Sequence, residues 1–519
     1  MYFALLAVLP LGPWDLVRVD APDHPDAVAT SRAGSLLLAP PSDGAWRVAP
    51  VAEIDLETDA MAPFDMDDAP RADAWSAIEA LEALDVAPWH AAGFQGDGVK
   101  VAVFDIQWFG VDRYPHAAEL GAFETHDCFR HKSCELPIDP LDPTFGFESG
   151  GHGTACAQVI RDIAPEAELH LVRVSSLTSL ENAVDWAIRE GVDVVSMSMS
   201  FFNESFSDGT GAINDQMDAL AAAGVLMVTS AGNYADEHRI EPFSDLDGDD
   251  RHDFPWGTPY LPVEFGAGTK RVNLVWDDFT NCGDTDLDIY AYDEDGRLIG
   301  RSTERQERGG ESCSPVERLN VWMRRSGTAW LVVHRAAGSP NTRFDLLARG
   351  GDVYGAIPQG SVTDPGNHPS VFTVGAVRAN ERYGVNGPEG FSSHGPTASG
   401  LDKPDIGGPN GLTTTIYGPA NFYGTSAATP AVTGALAVLM SADPTLDAFG
   451  AADHLKASAL RERAVDGAAS TGLGAGRARL PPPGATRGGC GGGAAGLALL
   501  PLLGLRRRQR ADTLTPLDV

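Results

Sequence analysis

Between residue 99 and residue 230 the chain alternates short apolar strands with amphipathic helices, a pattern that few folds accommodate. Residues 99–104 read as a continuous apolar strand ending at Asp105, and residues 152–163 as a helix. A strand at 168–174 follows, then a helix at 180–190 closed by Gly191 and a strand at 192–199. A helix at 214–223, closed by Gly224, leads to a strand at 225–229. Strands apolar on both faces need helices on both faces, so the expected architecture is α/β, a parallel sheet covered on its two sides. In such sheets ligands bind beyond the carboxyl ends of the strands, where Asp105 and Asn233 fall.

The alternation stops near Tyr234. Through residue 350 the strands become short and alternating, at 271–276, 286–292, 318–322, 329–334 and 343–348, with turn signals such as Asp295-Gly296 and Ser326-Gly327 between them. This predicts an all-β sandwich inserted at 234–350, dividing the α/β unit into 84–233 and 351–465. The α/β pattern resumes with a strand at 370–377 and an apolar helix at 426–440. Residues 21–83, rich in Ala, Asp and Pro, read as a leader or pro-segment, and 466–489 as a linker. The apolar run at 2–11 suggests a signal peptide over 1–20, although no Lys or Arg precedes it and no small-x-small cleavage site follows. No uninterrupted apolar stretch reaches 18 residues, which excludes a multi-span helical membrane protein.

Four short motifs carry chemistry. Ser426, in Gly424-Thr425-Ser426-Ala427-Ala428-Thr429-Pro430, opens the long apolar helix, where a serine is either an ordinary N-cap or a nucleophile beside a positive helix end. His152, in Gly150-Gly151-His152-Gly153-Thr154-Ala155, has small neighbours that leave an imidazole base accessible. Asp105 ends a buried strand, suited to orient a histidine and equally to cap a helix or hold a metal. Asn233, in Ser230-Ala231-Gly232-Asn233, offers an amide donor for an oxyanion, or a loop-forming side chain.

Taken together and in this order, these motifs resemble the subtilisin-like (S8) serine peptidases. Phe391-Ser392-Ser393-His394-Gly395-Pro396 and Lys403-Pro404-Asp405-Ile406 are similar to further family segments, and the resemblance covers residues 85–234 and 359–440. It implies a catalytic triad of Asp105, His152 and Ser426, with Asn233 and the Ser426 amide holding the oxyanion. It also implies that Ser198-Met199-Ser200 is the edge strand that pairs with a polypeptide substrate. Three positions depart from the family: Ile106-Gln107 follows the aspartate where Ser or Thr and then Gly are usual, Ser200 replaces a glycine, and Ala431 follows Pro430 where histidine is common. The function implied is a secreted or surface serine endopeptidase. Its alternative is a non-catalytic surface adhesin on a pseudoprotease scaffold. Neither the Gly-x-Ser-x-Gly of α/β-hydrolases nor the zinc-peptidase His-Glu-x-x-His occurs in the chain.

A formal net charge of −34 would repel a phosphate backbone, so nucleic acid is not an expected partner. Within Asp245-Leu246-Asp247-Gly248-Asp249-Asp250-Arg251-His252-Asp253, carboxylates alternate as a hard cation requires, and Asp245, Asp247, Asp249 and Asp253 are the expected ligands of a structural Ca²⁺. The glycine spacing is not that of an EF-hand, and the run resembles thrombospondin-type repeats; Asp284, Asp286 and Asp288 form a weaker run of the same kind. No cofactor is expected for the chemistry itself. Of the six cysteines, Cys128/Cys134 and Cys282/Cys313 are candidate disulfides in an exported protein, and Cys156 reads as a small core residue. The tail carries Gly488-Gly489-Cys490-Gly491-Gly492-Gly493, an apolar run at 494–505 and Arg506-Arg507-Arg508-Gln509-Arg510. This resembles bacterial C-terminal sorting signals, implying removal near Cys490 and attachment at the cell surface, although residues 511–519 run past the usual arginine stop.

Overall fold

The structure, a computed structural model, describes residues 77–139, 150–279, 285–306, 314–339, 341–379, 387–461 and 472–484, together with the backbone of 52–54. The expected signal peptide, most of the leader, Cys282, Asp284, Cys313 and the sorting-type tail lie outside the described residues.

After strand β1 (Ala52–Ile54) and the short helices α1 (Ile78–Ala83) and α2 (Ala87–Ala91), the chain enters β2 (Lys100–Asp105). Then come α3 (His116–Leu120), β3 (Glu124–Asp127), α4 (His152–Ile163), β4 (Glu168–Arg173), α5 (Leu177–Glu190), β5 (Val194–Met197), β6 (Met199–Phe201), α6 (Ala212–Ala222) and β7 (Leu226–Ser230). Nine strands follow: β8 (His238–Pro242), β9 (Leu261–Phe265), β10 (Gly268–Trp276), β11 (Asp286–Tyr292), β12 (Leu298–Ser302), β13 (Val316–Met323), β14 (Gly327–Ala337), β15 (Arg343–Arg349) and β16 (Gly351–Val353). The chain then forms β17 (Phe372–Arg378), β18 (Ile406–Asn410), β19 (Leu412–Thr414), β20 (Gly418–Phe422), α7 (Thr425–Ala442) and α8 (Ala448–Ser458).

The parallel sheet has seven strands in the order β18-β17-β7-β5-β2-β4-β3. Its inner strands are buried on both faces because successive side chains enter two different cores, whereas the edge strand β3 is partly exposed. Val101 and Val103 pack with α4 and α7, whereas Ala102 and Phe104 pack with α5 and α6. Helix boundaries follow local chemistry. Ser176 and Ser179 form a reciprocal capping box at the start of α5, and Gly191 ends it in the left-handed region at φ 64°. Helix α7 is buried from Thr425 through Met440, so it is a core helix with no polar face.

Between β7 and β17 the chain forms two antiparallel sheets, β13-β10-β15-β8 and β12-β11-β14-β9-β16. Alternate residues from both meet in one core, with Val272, Leu274, Leu319, Val321, Phe344 and Leu346 opposite Leu261, Val263, Leu287, Ile289, Leu331 and Val333. Residues 77–84 and 478–480 pack into the α4–α7 core: Ala80, Leu84 and Leu480 are fully or almost fully buried there, and the Leu480 amide donates to Leu84 O at 2.9 Å. Segments that read from sequence as leader and linker therefore contribute to the core of the α/β unit.

Candidate active site

Strand β2 delivers Asp105 to the carboxyl edge of the sheet, and α4 begins with His152 directly above it. His152 Nδ1 lies 2.7 Å from Asp105 Oδ2, with both side chains fully buried. The other carboxylate oxygen, Oδ1, accepts from the backbone N–H groups of Ile106 at 2.8 Å and Gln107 at 2.9 Å. Because main-chain donors hold the carboxylate, the unusual residue types at 106 and 107 leave its anchoring intact. Gly153 is required by packing, since a Cβ there would sit 2.6 Å from Asp105 Cβ. The Gly153 amide donates to Gln107 O at 2.9 Å, and Thr154 Oγ1 donates to Phe109 O at 2.9 Å, which ties α4 to the loop after β2.

An Asp105 carboxylate can only accept, so His152 Nδ1 is the protonated nitrogen and Nε2 carries the lone pair in the neutral ring. Nε2 is buried without a hydrogen-bond partner among the described residues. Burial alone would lower the imidazole pKa. The neighbouring Asp105 charge and hydrogen bond, with Cys156 beside the ring, outweigh it and hold the pKa well above the ordinary histidine value.

Ser426 is the second residue of α7, behind Gly424 at φ 98°. Pro430 stands four residues later and has no N–H, so the Ser426 carbonyl loses its normal helical donor. Two other groups take that place: Ser198 Oγ donates at 3.1 Å and Cys156 Sγ lies 3.7 Å away. Proline in this motif thus frees one carbonyl that joins the nucleophile's turn to α4 and to the segment before β6. Cys156 is a buried free thiol, as expected for a core residue, yet its sulfur is also 4.0 Å from His152 Nδ1. Burial pushes the thiol pKa up, so it stays protonated.

Asn233 Oδ1 accepts from Thr425 N at 2.9 Å and from Thr425 Oγ1 at 3.1 Å. Those bonds assign the amide orientation and make Nδ2 the donor end; a Cβ on Gly424 would lie 2.8 Å from it. Thr425 Oγ1 also accepts from the Gly232 amide at 3.3 Å, and Ser393 Oγ accepts from Tyr234 N at 3.0 Å. Thr425 and Ser393 are supports that sequence reasoning did not single out, although both sit inside motifs it recognised.

Ser198, Met199 and Ser200 are all buried. The Met199 side chain joins the α5–α6 core, and Ser200 Oγ accepts from Thr363 Oγ1 at 2.8 Å, so what remains for a ligand is the strand's backbone edge. That edge pairs antiparallel with β1, with Ala52 opposite Phe201, Glu53 opposite Ser200 and Ile54 opposite Met199.

The acidic loop brings together Asp245, Asp247 and Asp253, one oxygen of each lying within 4.8 Å of the others. Asp249 is not in that group: its Oδ1 accepts from Arg251 N at 3.0 Å and its Oδ2 faces the Arg251 guanidinium at 3.7 Å. Cys128 and Cys134 form a disulfide.

A strand-end aspartate hydrogen-bonded to a helix-start histidine, with a serine at the head of the buried helix packed on α4, makes a candidate site on a parallel α/β sheet. The Subtilase family (peptidase S8) matches residues 96–253 and 283–476, and the chain belongs to that family. The minor extracellular protease Vpr of Bacillus subtilis is 25% identical over 439 residues, covering 76% of this chain and 50% of the relative, so the chain spans about half that protein's length. Subtilisin Savinase of Lederbergia lenta is 26% identical over 159 residues, 28% of this chain and 51% of that one. The solved CspB protease of Clostridium perfringens shares the fold, with a TM-score of 0.54 at 16% identity over 78% of this chain and 97% of that chain.

Proposed function

We propose that this chain is a secreted or cell-surface serine endopeptidase. The observation that carries the reading is the buried 2.7 Å pair of His152 Nδ1 and Asp105 Oδ2, with Ser426 at the head of the helix packed on α4. Nε2 of His152 takes the Ser426 hydroxyl proton as Oγ bonds to the peptide carbonyl carbon. The Asn233 amide and the Ser426 N–H receive the charge that develops on the carbonyl oxygen. His152 then gives its proton to the leaving amine as the C–N bond breaks, which leaves an acyl-enzyme on Ser426. Water, deprotonated by the same nitrogen, hydrolyses that ester. A polypeptide substrate would add as a strand to the edge of β6. Pairing of β1 with the same edge supports reading the residues before the catalytic core as a pro-segment that occupies the substrate position. Export is supported by the disulfide and by the relative's extracellular name.

A structural Ca²⁺ belongs to the same reading. Asp245, Asp247 and Asp253 supply hard, negatively charged oxygen donors suited to this ion and would hold it against β14, where Arg335 Nη2 lies 3.4 Å from Asp245 Oδ2. The sorting-type tail is read as a cell-surface attachment signal.

Labelling with a fluorophosphonate probe tests the activity. The mature protein should be labelled on Ser426, and Ser426→Ala should not be labelled. A chain that fails to react, while remaining folded, would be a pseudoprotease.

A further inference from the structure

Two strands across from Asp105, the free edge of the parallel sheet carries a second cluster of chemistry-bearing side chains. Glu124 and His126 are two residues apart on β3 and so project from the same face, and the register places Glu124 opposite His170 on β4. His126 Nε2 lies 3.1 Å from His170 Nδ1 and 3.9 Å from Glu124 Oε2, and His170 Nδ1 lies 3.8 Å from the same carboxylate oxygen.

The far nitrogen of each ring fixes what the near one offers. His126 Nδ1 is 3.2 Å from the backbone carbonyl of Cys134, a group that can only accept, so this nitrogen carries the hydrogen. His170 Nε2 is 3.2 Å from Glu168 Oε1, also an acceptor, so it too carries the hydrogen. In the neutral rings, Nε2 of His126 and Nδ1 of His170 therefore aim lone pairs at one another and at the Glu124 carboxylate. Three acceptors converge on one point with no hydrogen among them, an arrangement that repels itself until a cation occupies it.

We infer that Glu124, His126 and His170 form a binding site for a divalent transition-metal ion of the zinc class. A triangle with the three observed separations has a circumradius of about 2.1 Å, which matches Zn–N distances of about 2.0–2.1 Å and Zn–O distances of about 2.0–2.2 Å. Two imidazoles with one carboxylate select such an ion over Ca²⁺, which takes oxygen ligands. The Cys134 carbonyl and the Glu168 carboxylate supply the outer hydrogen bonds that orient metal-binding histidines. The rings are further fixed against Trp186 of α5, with centroids at 4.3 Å from His126 and 5.5 Å from His170. Both histidine side chains are largely buried, whereas Glu124 is 71% exposed and gives the ion its entry and room for a water ligand. Bound there, the ion would join the edge strand β3 to β4 and, through Cys134, to the disulfide-closed turn.

The test uses full-length protein carrying Ser426→Ala, which prevents self-digestion, and Zn²⁺ alone as the probe. Calorimetric titration should find one equivalent per chain that excess Ca²⁺ does not displace, with a raised melting temperature. Co²⁺ should give the visible absorption of a low-coordinate nitrogen and oxygen site. His126→Gln and His170→Gln should each remove that equivalent, and Glu168→Gln should weaken it by about 10–100-fold, as loss of an outer hydrogen bond does. Glu124→Gln, at an exposed position that tolerates change, should also weaken it. Cys156→Ala should leave it intact, because Cys156 belongs to a separate cluster with Asp105 and His152 at the candidate active site. Zn²⁺ that binds equally well to the His170→Gln protein, or that is lost in Cys156→Ala instead, overturns the assignment. So does an NMR spectrum at saturating Zn²⁺ in which the His126 and His170 imidazole signals do not move.

Discussion

The parallel sheet and the two antiparallel sheets handle polar groups in opposite ways. Strands β2, β5 and β7 are buried along nearly their whole length and hold at most small hydroxyls inside, while Asp105 ends β2 and Asn233 stands just past the end of β7. Strands β9 and β13 instead alternate buried and accessible residues, so each presents a partly solvated face. A strand covered on both sides pushes chemistry to its end, while a strand covered on one side spreads its charge over a surface. The contact between the two regions mixes apolar and polar groups: Phe202 and Tyr234 pack with Leu347 of β15, the Arg349 guanidinium lies 4.9 Å over the Phe202 ring, and Asn203 Nδ2 donates to Asn273 Oδ1 at 3.4 Å.

If that contrast is right, changes at the strand and helix ends of the parallel sheet should alter rate without stability, and changes in the antiparallel region should do the reverse. Ser426→Ala is the strongest test, with an expected loss of about 10⁶ in kcat and an unchanged melting curve. Peptide turnover close to wild type would remove Ser426 from the chemistry. Asn233→Ala should lose about 10²–10³ in kcat with little change in KM, the cost of one oxyanion donor. An unaltered kcat would make Asn233 a loop residue.

The pH profile is the next effect in size. Only neutral His152 can accept the serine proton, and its pKa is held well above the ordinary histidine value by Asp105. The acid limb of kcat/KM should therefore fall about tenfold per pH unit below a midpoint displaced upward from the ordinary histidine value, with a plateau above it. A midpoint at or below the ordinary value of about 6.5 would contradict the buried ion pair.

In the antiparallel region, Leu274→Ala opens the shared core at a fully buried position and should cost about 2–5 kcal/mol of stability. The remaining folded protein should still label at Ser426, as active-site titration against folded fraction would measure; proportionally greater loss of labelling would couple the regions. The smallest effect expected is a drop of a few degrees in melting temperature on adding EGTA, because an ion bound only to the native state stabilises it. Asp247→Ala should remove most of that sensitivity, and identical curves with and without EGTA would count against the loop as a calcium site.

Much of the α/β half was legible because buried parallel strands leave an unmistakable run of apolar residues and because each candidate site residue lies inside a short motif. The helix His152–Ile163 and the strand Asp286–Tyr292 begin and end where the pattern placed them. Strands β8, β9 and β12 were missed: they are only five residues long, and β12 has no buried residue to produce an apolar alternation. The packing of residues 77–84 and 478–480 on α4 and α7 was also invisible, since these pieces are mostly Ala, Leu and turn residues whose partners lie hundreds of positions away.

The sequence by itself determined the identities and order of Asp105, His152, Asn233 and Ser426, and the class of sheet that carries them, because periodicity and local motifs are properties of neighbours along the chain. Only the tertiary structure decided how those residues are held. That main-chain amides secure Asp105, that the carbonyl freed by Pro430 is taken up by Ser198 and Cys156, that Thr425 orients Asn233, and that Asp249 turns away from its fellow aspartates are all contacts set by geometry. The same is true of the His126–His170 pair on adjacent strands, separated by 44 residues in sequence and by 3.1 Å in space. Strand pairing joins side chains by register across the sheet, and register between distant segments leaves no local mark on either one.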